Sequence, residues 1–534
     1  MQRPQLLSPI LLSLMLIACG DDASAGPGAL DAQSDAPDVR QSDSAVDAGP
    51  DSAGDLDAGD DAGPPEVLKA FPSAFGSGAE ASGGRGGVLI IVNTPDPNVA
   101  LTHYPATDTA PERYEGGLYA ALEHDGAAYI TFDRSMNIQQ RAGGTGTTQF
   151  SGLGIRGVHD KTIFGQSAPE GGVTITGGTF TFNGRVEGEP TRNLIFRYFR
   201  SRPILDQDGQ LTTEPDLYTW GLLFRCGEDI IVDHCSFSFA QDKGLGGGVR
   251  EPGNPFERVT FSRNFVSDTH TGIYVEVNPN RPGDPEEYLD RVSFLSNMTV
   301  GMNRTPNVAF DGRAEVLNSV IYGNIYKAST IYHDLRINFV GNYYFAPEGR
   351  GLGYNRIFDH EGVPSVFAAG NYYQELLEGS PGENNQAIFK FRDEYDGTVS
   401  PDYFVDAPFD LMNPHPPAVV TAQEAHASVV TSGNIGAYRY LDDEGRPQTF
   451  RDSYDTSQLE AVRTRADVTH DEVEYWVLPV LPESTRPSSY DTDMDGLSDA
   501  WELRVIGDLS QSYGDDHDDD GYENIEEYMN QVDE

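Results

Sequence analysis

Short runs in which apolar and polar residues alternate, each closed by a small polar residue, recur through the middle of the chain. Asp229-Ile-Ile-Val-Asp-His-Cys235 is followed by Arg258-Val-Thr-Phe-Ser-Arg-Asn264, Arg291-Val-Ser-Phe-Leu-Ser-Asn297, Glu315-Val-Leu-Asn-Ser319, Ile337-Asn-Phe-Val-Gly-Asn342 and Val366-Phe-Ala-Ala-Gly-Asn371. Alternation with period two predicts a strand in each. A second short apolar run follows most of them. Taking Cys235, Asn264, Asn297, Ser319, Asn342 and Asn371 as equivalent gives a repeat of roughly twenty to thirty-three residues, a spacing that suggests stacked coils. A polar side chain at the same turn of every coil can bond its counterparts above and below, satisfying backbone groups that burial would leave unpaired. The expected fold is all-β, a parallel β-helix; an antiparallel sandwich with ordinary Asn turns is the competing expectation.

Upstream, Leu118-Tyr-Ala-Ala-Leu-Glu123 predicts a short helix and Ala128-Tyr-Ile-Thr-Phe132 a strand, with strand, loop and strand from Thr162 to Ile175. The glycine-rich stretch Ala81-Ser-Gly-Gly-Arg-Gly-Gly87 precedes a buried strand and lacks a following Gly-Lys-Ser/Thr, so it reads as a tight turn and not as a phosphate loop. Between Gln374 and Pro482 the strand pattern thins, and runs such as Asn413-Pro-His-Pro-Pro417 predict loops that return along the solenoid or cap it.

The ends carry different signals. Arg3 precedes an apolar run from Leu6 to Ile17 that is too short for a mature spanning helix, and Leu16-Ile17-Ala18-Cys19 resembles a bacterial lipobox. Residues 1–19 are therefore expected to be a lipoprotein signal peptide, with Cys19 lipidated and the protein exported and membrane-anchored, at the outer membrane or cell surface. Residues 20–66 are almost wholly Asp, Ala, Gly, Ser and Pro; they cannot bury enough surface to offset chain entropy and predict a disordered tether. The folded body is placed at 67–485 and a separate small module at 486–534.

That last segment holds two twelve-residue acidic loops. Asp491, Asp493, Asp495, Gly496, Leu497, Asp499 and Glu502 occupy positions one, three, five, six, seven, nine and twelve of an EF-hand calcium loop; Asp516, Asp518, Asp520, Gly521, Tyr522, Asn524 and Glu527 repeat the pattern. Alternate oxygens converge as such a loop winds about an ion, the glycine makes the sharp turn, and the final glutamate chelates from a starting helix. The segment resembles the calcium modules appended to bacterial surface polysaccharide enzymes, dockerin-like and thrombospondin type-3-like repeats among them.

A formal net charge of −48 argues against a nucleic-acid partner. Against an acidic glycan it demands bridging calcium or local basic residues. Besides Cys19 only Cys226 and Cys235 remain, without a metal-ligand pattern, and buried thiols are expected; whether they bond to each other is left open by the sequence.

Gly83-Gly-Arg-Gly-Gly87, Gly165-Gln-Ser-Ala-Pro-Glu-Gly-Gly172, Val232-Asp-His-Cys-Ser-Phe-Ser238, Arg304-Thr-Pro306 and Asn338-Phe-Val-Gly-Asn-Tyr-Tyr344 jointly resemble polysaccharide lyase family 1, the pectate lyases, over most of Phe71 to Tyr373. The resemblance implies a right-handed parallel β-helix that cleaves polygalacturonate by calcium-assisted β-elimination in a groove along one face. Arg304 matches the family's catalytic arginine, held to remove the proton alpha to the uronate carboxylate. Because arginine is effectively always charged, a role in stabilising the developing charge is the safer physical reading. Asp242 matches one calcium ligand. Gly246 and Trp220 stand where the family has carboxylates, Ala309 where it has a second arginine, and Thr269 or His270 near its substrate lysine. His270 and Arg313 are the residues expected to contact a substrate carboxylate. Asp233 and His234 read as a structural pair. The expected function is an exported lyase acting on pectate or a related acidic polysaccharide, with Ca2+ as cofactor. A non-catalytic glycan-binding or adhesive surface lipoprotein is the alternative. A hydrolase is disfavoured because no paired carboxylates cluster on the coil face.

Overall fold

The computed structural model describes residues 67–140, 154–183, 191–204, 219–248, 255–276, 289–324, 326–359, 362–392, 397–468 and 476–533. Cys19 and the tether lie outside the described residues. Pro65–Glu534 forms one compact unit, so the body and the acidic carboxyl-terminal segment are not separate units of packing.

The repeats become coils of a right-handed parallel β-helix, the handedness expected of parallel crossovers. Among the described residues, three sheets of twelve, ten and nine strands run its length, and along the solenoid neighbouring strands of each come from successive coils. Pairing is parallel throughout the three sheets except at two ends, where Thr102–Tyr104 pairs with Arg113–Gly116 and Tyr372–Tyr373 with Leu377–Glu378 antiparallel. Consecutive strands Gly227–Asp233, Phe256–Ser262, Leu289–Leu295 and Arg313–Leu317 stack in register, bringing Val232, Phe261, Phe294 and Val316 into one interior column. Such a column puts the apolar half of each alternating run inside, which is why the period-two pattern is legible at all.

At the turn that ends each of these strands runs a ladder of polar side chains. Asn264 Oδ1 accepts from the Cys235 amide, Asn297 Oδ1 from Asn264, Ser319 Oγ from Asn297, Asn342 Oδ1 from Ser319, and Asn371 Oδ1 from Asn342, at 2.9–3.3 Å. Asn385 extends the ladder by accepting from Asn371 at 3.0 Å, a member the repeat did not announce. The amide groups of Asn264, Asn297, Asn342 and Asn371 donate in turn to Val232, Phe261, Val316 and Phe339 carbonyls. Each of these Asn side chains thus satisfies an amide and a carbonyl of the coil before it, and parallel stacking decides against a sandwich.

The expected helix is Leu118–Leu122 and the expected strand Ala128–Phe132. The glycine-rich turn packs flat on the solenoid: a Cβ on Gly84 would lie 2.2 Å from the Ala128 carbonyl, and the Gly83 and Gly84 amides bond Asn193 and Thr162. Residues after Phe391 do return along the coils. Phe409 bonds Asn338, Val420 bonds Asn318, and Gly436 bonds Arg263, each contact lying one or more coils further back. The return ends in the helix Ser453–Thr464, capped by Asp452, which with Asp455 receives the buried Arg202 at 2.8 Å. The pattern of Leu459 and Val462 on this helix's buried side was the signal the sequence offered for it.

The acidic segment closes over the twelve-stranded sheet. Leu497, Trp501, Ile525, Tyr528, Met529 and Val532 form one apolar cluster with Leu89, Tyr129, Phe164 and Tyr198 of the coils. Arg85 forks onto Glu526 at 2.8–3.1 Å, and Arg197, buried between Asp233 and Asp533, stacks 3.9 Å from the Phe71 ring centroid.

Candidate active site

The nine-stranded sheet carries the residues that the resemblance singles out. Trp220–Phe224, Ala240–Gly247, Thr269–Glu276, Asn307–Ala309 and Lys327–Tyr332 are successive strands of it. Arg304 precedes Asn307–Ala309, its amide donates to the Lys327 carbonyl at 3.0 Å, and its backbone is left-handed at φ 53°. Its Nε is buried and has no hydrogen-bond partner among the described residues. Asn303, just before it, donates to the His270 carbonyl at 3.3 Å, so His270 and Arg304 come from neighbouring coils at adjacent positions. Thr269 instead turns inward, buried, with its hydroxyl on the Thr271 carbonyl.

Asp242 lies on the same sheet, and each of its carboxylate oxygens already accepts a hydrogen bond. Lys243 Nζ donates to its Oδ1 at 2.5 Å and Trp220 Nε1 to its Oδ2 at 3.1 Å. The Lys243 ammonium also stands 4.9 Å from the Trp220 ring and 4.6 Å from that of Tyr274, the two rings meeting edge to face. Burial lowers the Lys243 pKa, the Asp242 carboxylate opposes this, and Arg304 adds to the lowering, so the two cations share one field. A carboxylate cannot be supplied four residues on: a Cβ on Gly246 would lie 1.8 Å from the Tyr274 carbonyl oxygen.

Calcium takes six to eight oxygens. Among the described residues the donor set at Asp242 is one carboxylate whose two oxygens already accept from an ammonium and an indole. Among the described residues no group of three acidic, His or Cys side chains converges there. The expectation that Asp242 anchors a groove metal therefore does not fit this geometry. Nor does the expected substrate contact by Arg313, which is on the twelve-stranded sheet with its guanidinium against Asp290 and the Asp410 carbonyl. Asp233 and His234 are structural: Asp233 also meets Arg197, Ser262 and Arg263, and the His234 ring stacks on Tyr198. Cys226 and Cys235 are both buried and are not joined by a disulfide.

Lys243 and Tyr274 escaped the sequence reading. Adjacent strand residues ordinarily point to opposite faces, so a lysine next to Asp242 is not expected beside it. The pairing of Ala240–Gly247 with Thr269–Glu276 shifts register between Ala240 and Lys243, a bulge that re-aims both side chains.

The acidic loops behave differently. In both, the glycine amide donates to the first aspartate (Gly496 to Asp491, 2.8 Å; Gly521 to Asp516, 2.9 Å) and the seventh residue's amide to the fifth side chain (Leu497 to Asp495 and Tyr522 to Asp520, each 2.9 Å). Helices Asp499–Val505 and Asn524–Asn530 start at position nine of each. Asp491, Asp493 and Asp499 converge, as do Asp493, Asp495 and Glu502, and Asp516, Asp518 and Asp520; Glu527 joins His517 and Asp518. Asp495 Oδ2 and both Glu502 oxygens are buried without partners among the described residues. Burial, with the neighbouring carboxylates, pushes Asp495 up to about 8 and Glu502 to about 9. Orphaned, mutually repelling oxygens in this arrangement fit a hard divalent cation, with the Leu497 and Tyr522 carbonyls completing the loops.

No protein-family model matches the chain. The probable pectate lyase C of Aspergillus oryzae is 24% identical over 490 residues, covering 87% of this chain and 94% of the fungal one. That of Emericella nidulans is 25% identical over 454 residues, covering 82% and 86%. A mutant of Bacillus subtilis pectate lyase matches in structure with TM-score 0.45 and 12% identity, over 70% of this chain and 98% of that one. The chain is thus similar to pectate lyases over most of its length, at about a quarter of aligned positions in the fungal sequences.

Proposed function

We propose that the protein is a polysaccharide lyase that cleaves pectate or a related uronate glycan by β-elimination on the nine-stranded sheet. The observation that carries this reading is the placement of Arg304, with its unpartnered Nε, in the field of a second cation on one solenoid face. Similarity to the fungal pectate lyases along nearly the whole chain supports it.

A proton alpha to a carboxylate is weakly acidic, and its removal throws charge onto that carboxylate. A preorganised cation stabilises the charge more in the transition state than in the ground state. Arg304 is proposed to supply this, with His270 on the neighbouring coil as a further contact to the sugar.

Calcium is proposed for the carboxyl-terminal loops, held by Asp491, Asp493, Asp495, Asp499 and Glu502 in one and by Asp516, Asp518, Asp520, Asn524 and Glu527 in the other. Its contribution there is structural: it neutralises carboxylates that otherwise repel. Export, lipidation of Cys19 and a surface location complete the proposal, on the strength of the lipobox and tether.

Elimination leaves a double bond conjugated to the carboxylate. Ultraviolet absorbance of the products from a panel of uronans tests the reading. No unsaturated sugar from any of them would leave the glycan-binding alternative.

A further inference from the structure

Lys243 is a cation seated on the very carboxylate that the resemblance assigns to calcium. The bulge between Ala240 and Lys243 brings its side chain to the same side as Asp242. Trp220 pairs with Lys243 across the sheet and is itself buried, so its ring forms a wall of the ammonium's box and its N–H fixes the carboxylate. Tyr274, one coil on, forms the second wall. The ammonium keeps a 15% exposed side chain, enough to be met from the groove. Among the described residues, one oxygen of Asp242 accepts from this nitrogen and the other from the Trp220 indole, two rings flank the ammonium, and Gly246 has no room for a second carboxylate.

We propose that Lys243 is the resident cation of this groove: positioned by Asp242, its ammonium meets the substrate carboxylate where the resemblance would put calcium, and the groove binds no divalent ion. This rests on the elimination reading. The C–H bond alpha to the carboxylate breaks and its proton goes to hydroxide from solvent. The electron pair becomes the carbon–carbon double bond as the bond to the glycosidic oxygen breaks, and the leaving oxygen takes a proton from water. Lys243 and Arg304 hold the charge on the carboxylate and are unchanged at the end. Lys243 is then a catalytic residue and Asp242 a positioning residue.

Calcium bound by the full chain is counted by equilibrium dialysis, with and without saturating trigalacturonate, for the wild type and Asp242→Asn. The proposal expects the same count in all four cases, because the loops on the other sheet hold every ion. An extra ion that appears with trigalacturonate, or an ion lost with Asp242→Asn, overturns the metal-free groove. In parallel, Lys243→Met is expected to lose about a hundredfold in turnover with its melting temperature kept, and Lys243→Arg to retain more of it. Lys243→Met within about threefold of wild type overturns the catalytic role, and if that variant fails to fold, Lys243→Arg with no more turnover than Arg304→Ala does so. A wild type that forms no unsaturated sugar under any metal condition removes the lyase reading itself, whereas the calcium count decides the metal question without any turnover.

Discussion

The Lys243 ammonium donates to a carboxylate oxygen of its own chain neighbour, Asp242, at 2.5 Å, and Trp220 takes the other oxygen. The two flanking rings hold that ammonium in one field with Arg304, whose Nε has no partner within the described residues.

Arg304→Ala is therefore expected to lower turnover by about 10²–10³-fold, the usual loss on removing one preorganised charge-stabilising group. Arg304→Lys keeps the charge but not the fork and should recover part of it. Unsaturated-product absorbance together with thermal melting checks this. Full activity in the alanine variant removes Arg304 from the mechanism.

Chelating calcium is expected to lower the melting temperature of the whole protein, because the loops share a core with Leu89, Tyr129 and Tyr198. At free calcium a hundred times the dissociation constant, each site adds about 2.7 kcal/mol. Glu502→Gln should remove about one site's share. Calorimetric melts with and without chelator read this directly, and identical melts would remove calcium from the loops.

Glu315 is buried against Ser293 and Asn413, and burial pushes its carboxyl up to about 7 from an ordinary 4.5. The folded state then binds a proton more tightly than the unfolded state. Its contribution is present below the unfolded value and is lost as pH rises from about 4.5 through about 7, a fall of up to about 3 kcal/mol. Glu315→Gln should flatten that part of the stability profile and make the protein more stable than wild type at pH 8. Urea unfolding at pH 5 and pH 8 measures it; parallel profiles for the two proteins would contradict it.

Asn297→Ala should cost about 2–4 kcal/mol, since it orphans the buried Asn264 amide and the Phe261 carbonyl of the preceding coil. A loss below about 1 kcal/mol in denaturant unfolding would mean that water or backbone movement replaces the ladder.

The solenoid was legible because its two requirements leave traces in one dimension. Interior columns need apolar residues at alternate positions, and coil turns need a polar side chain at a fixed phase, so Asn264, Asn297, Asn342 and Asn371 announced both. Arg304 and Asp242 could be placed on one face by their motifs. What the sequence concealed was local geometry: the extra residue before Lys243 breaks the alternation on which any prediction of facing side chains depends. Arg313 misled for the opposite reason, since a regular strand of the twelve-stranded sheet turns it toward Asp290 and away from the groove. The acidic loops were readable as loops. Their attachment to the first coils was not, because nothing short-range marks Glu526 as the partner of Arg85.

That partnership spans 441 positions of the chain. Closing a segment of such length costs about 5 kcal/mol of chain entropy before any contact rewards it. The opening coils, made first during synthesis, therefore keep one flank of apolar side chains open until the final residues emerge, and the last step of folding is a docking event between the two extremes of the body. A nascent or truncated chain lacking the terminal helix would expose Leu89, Tyr129 and Phe164 and be the form most prone to aggregate or to proteolysis.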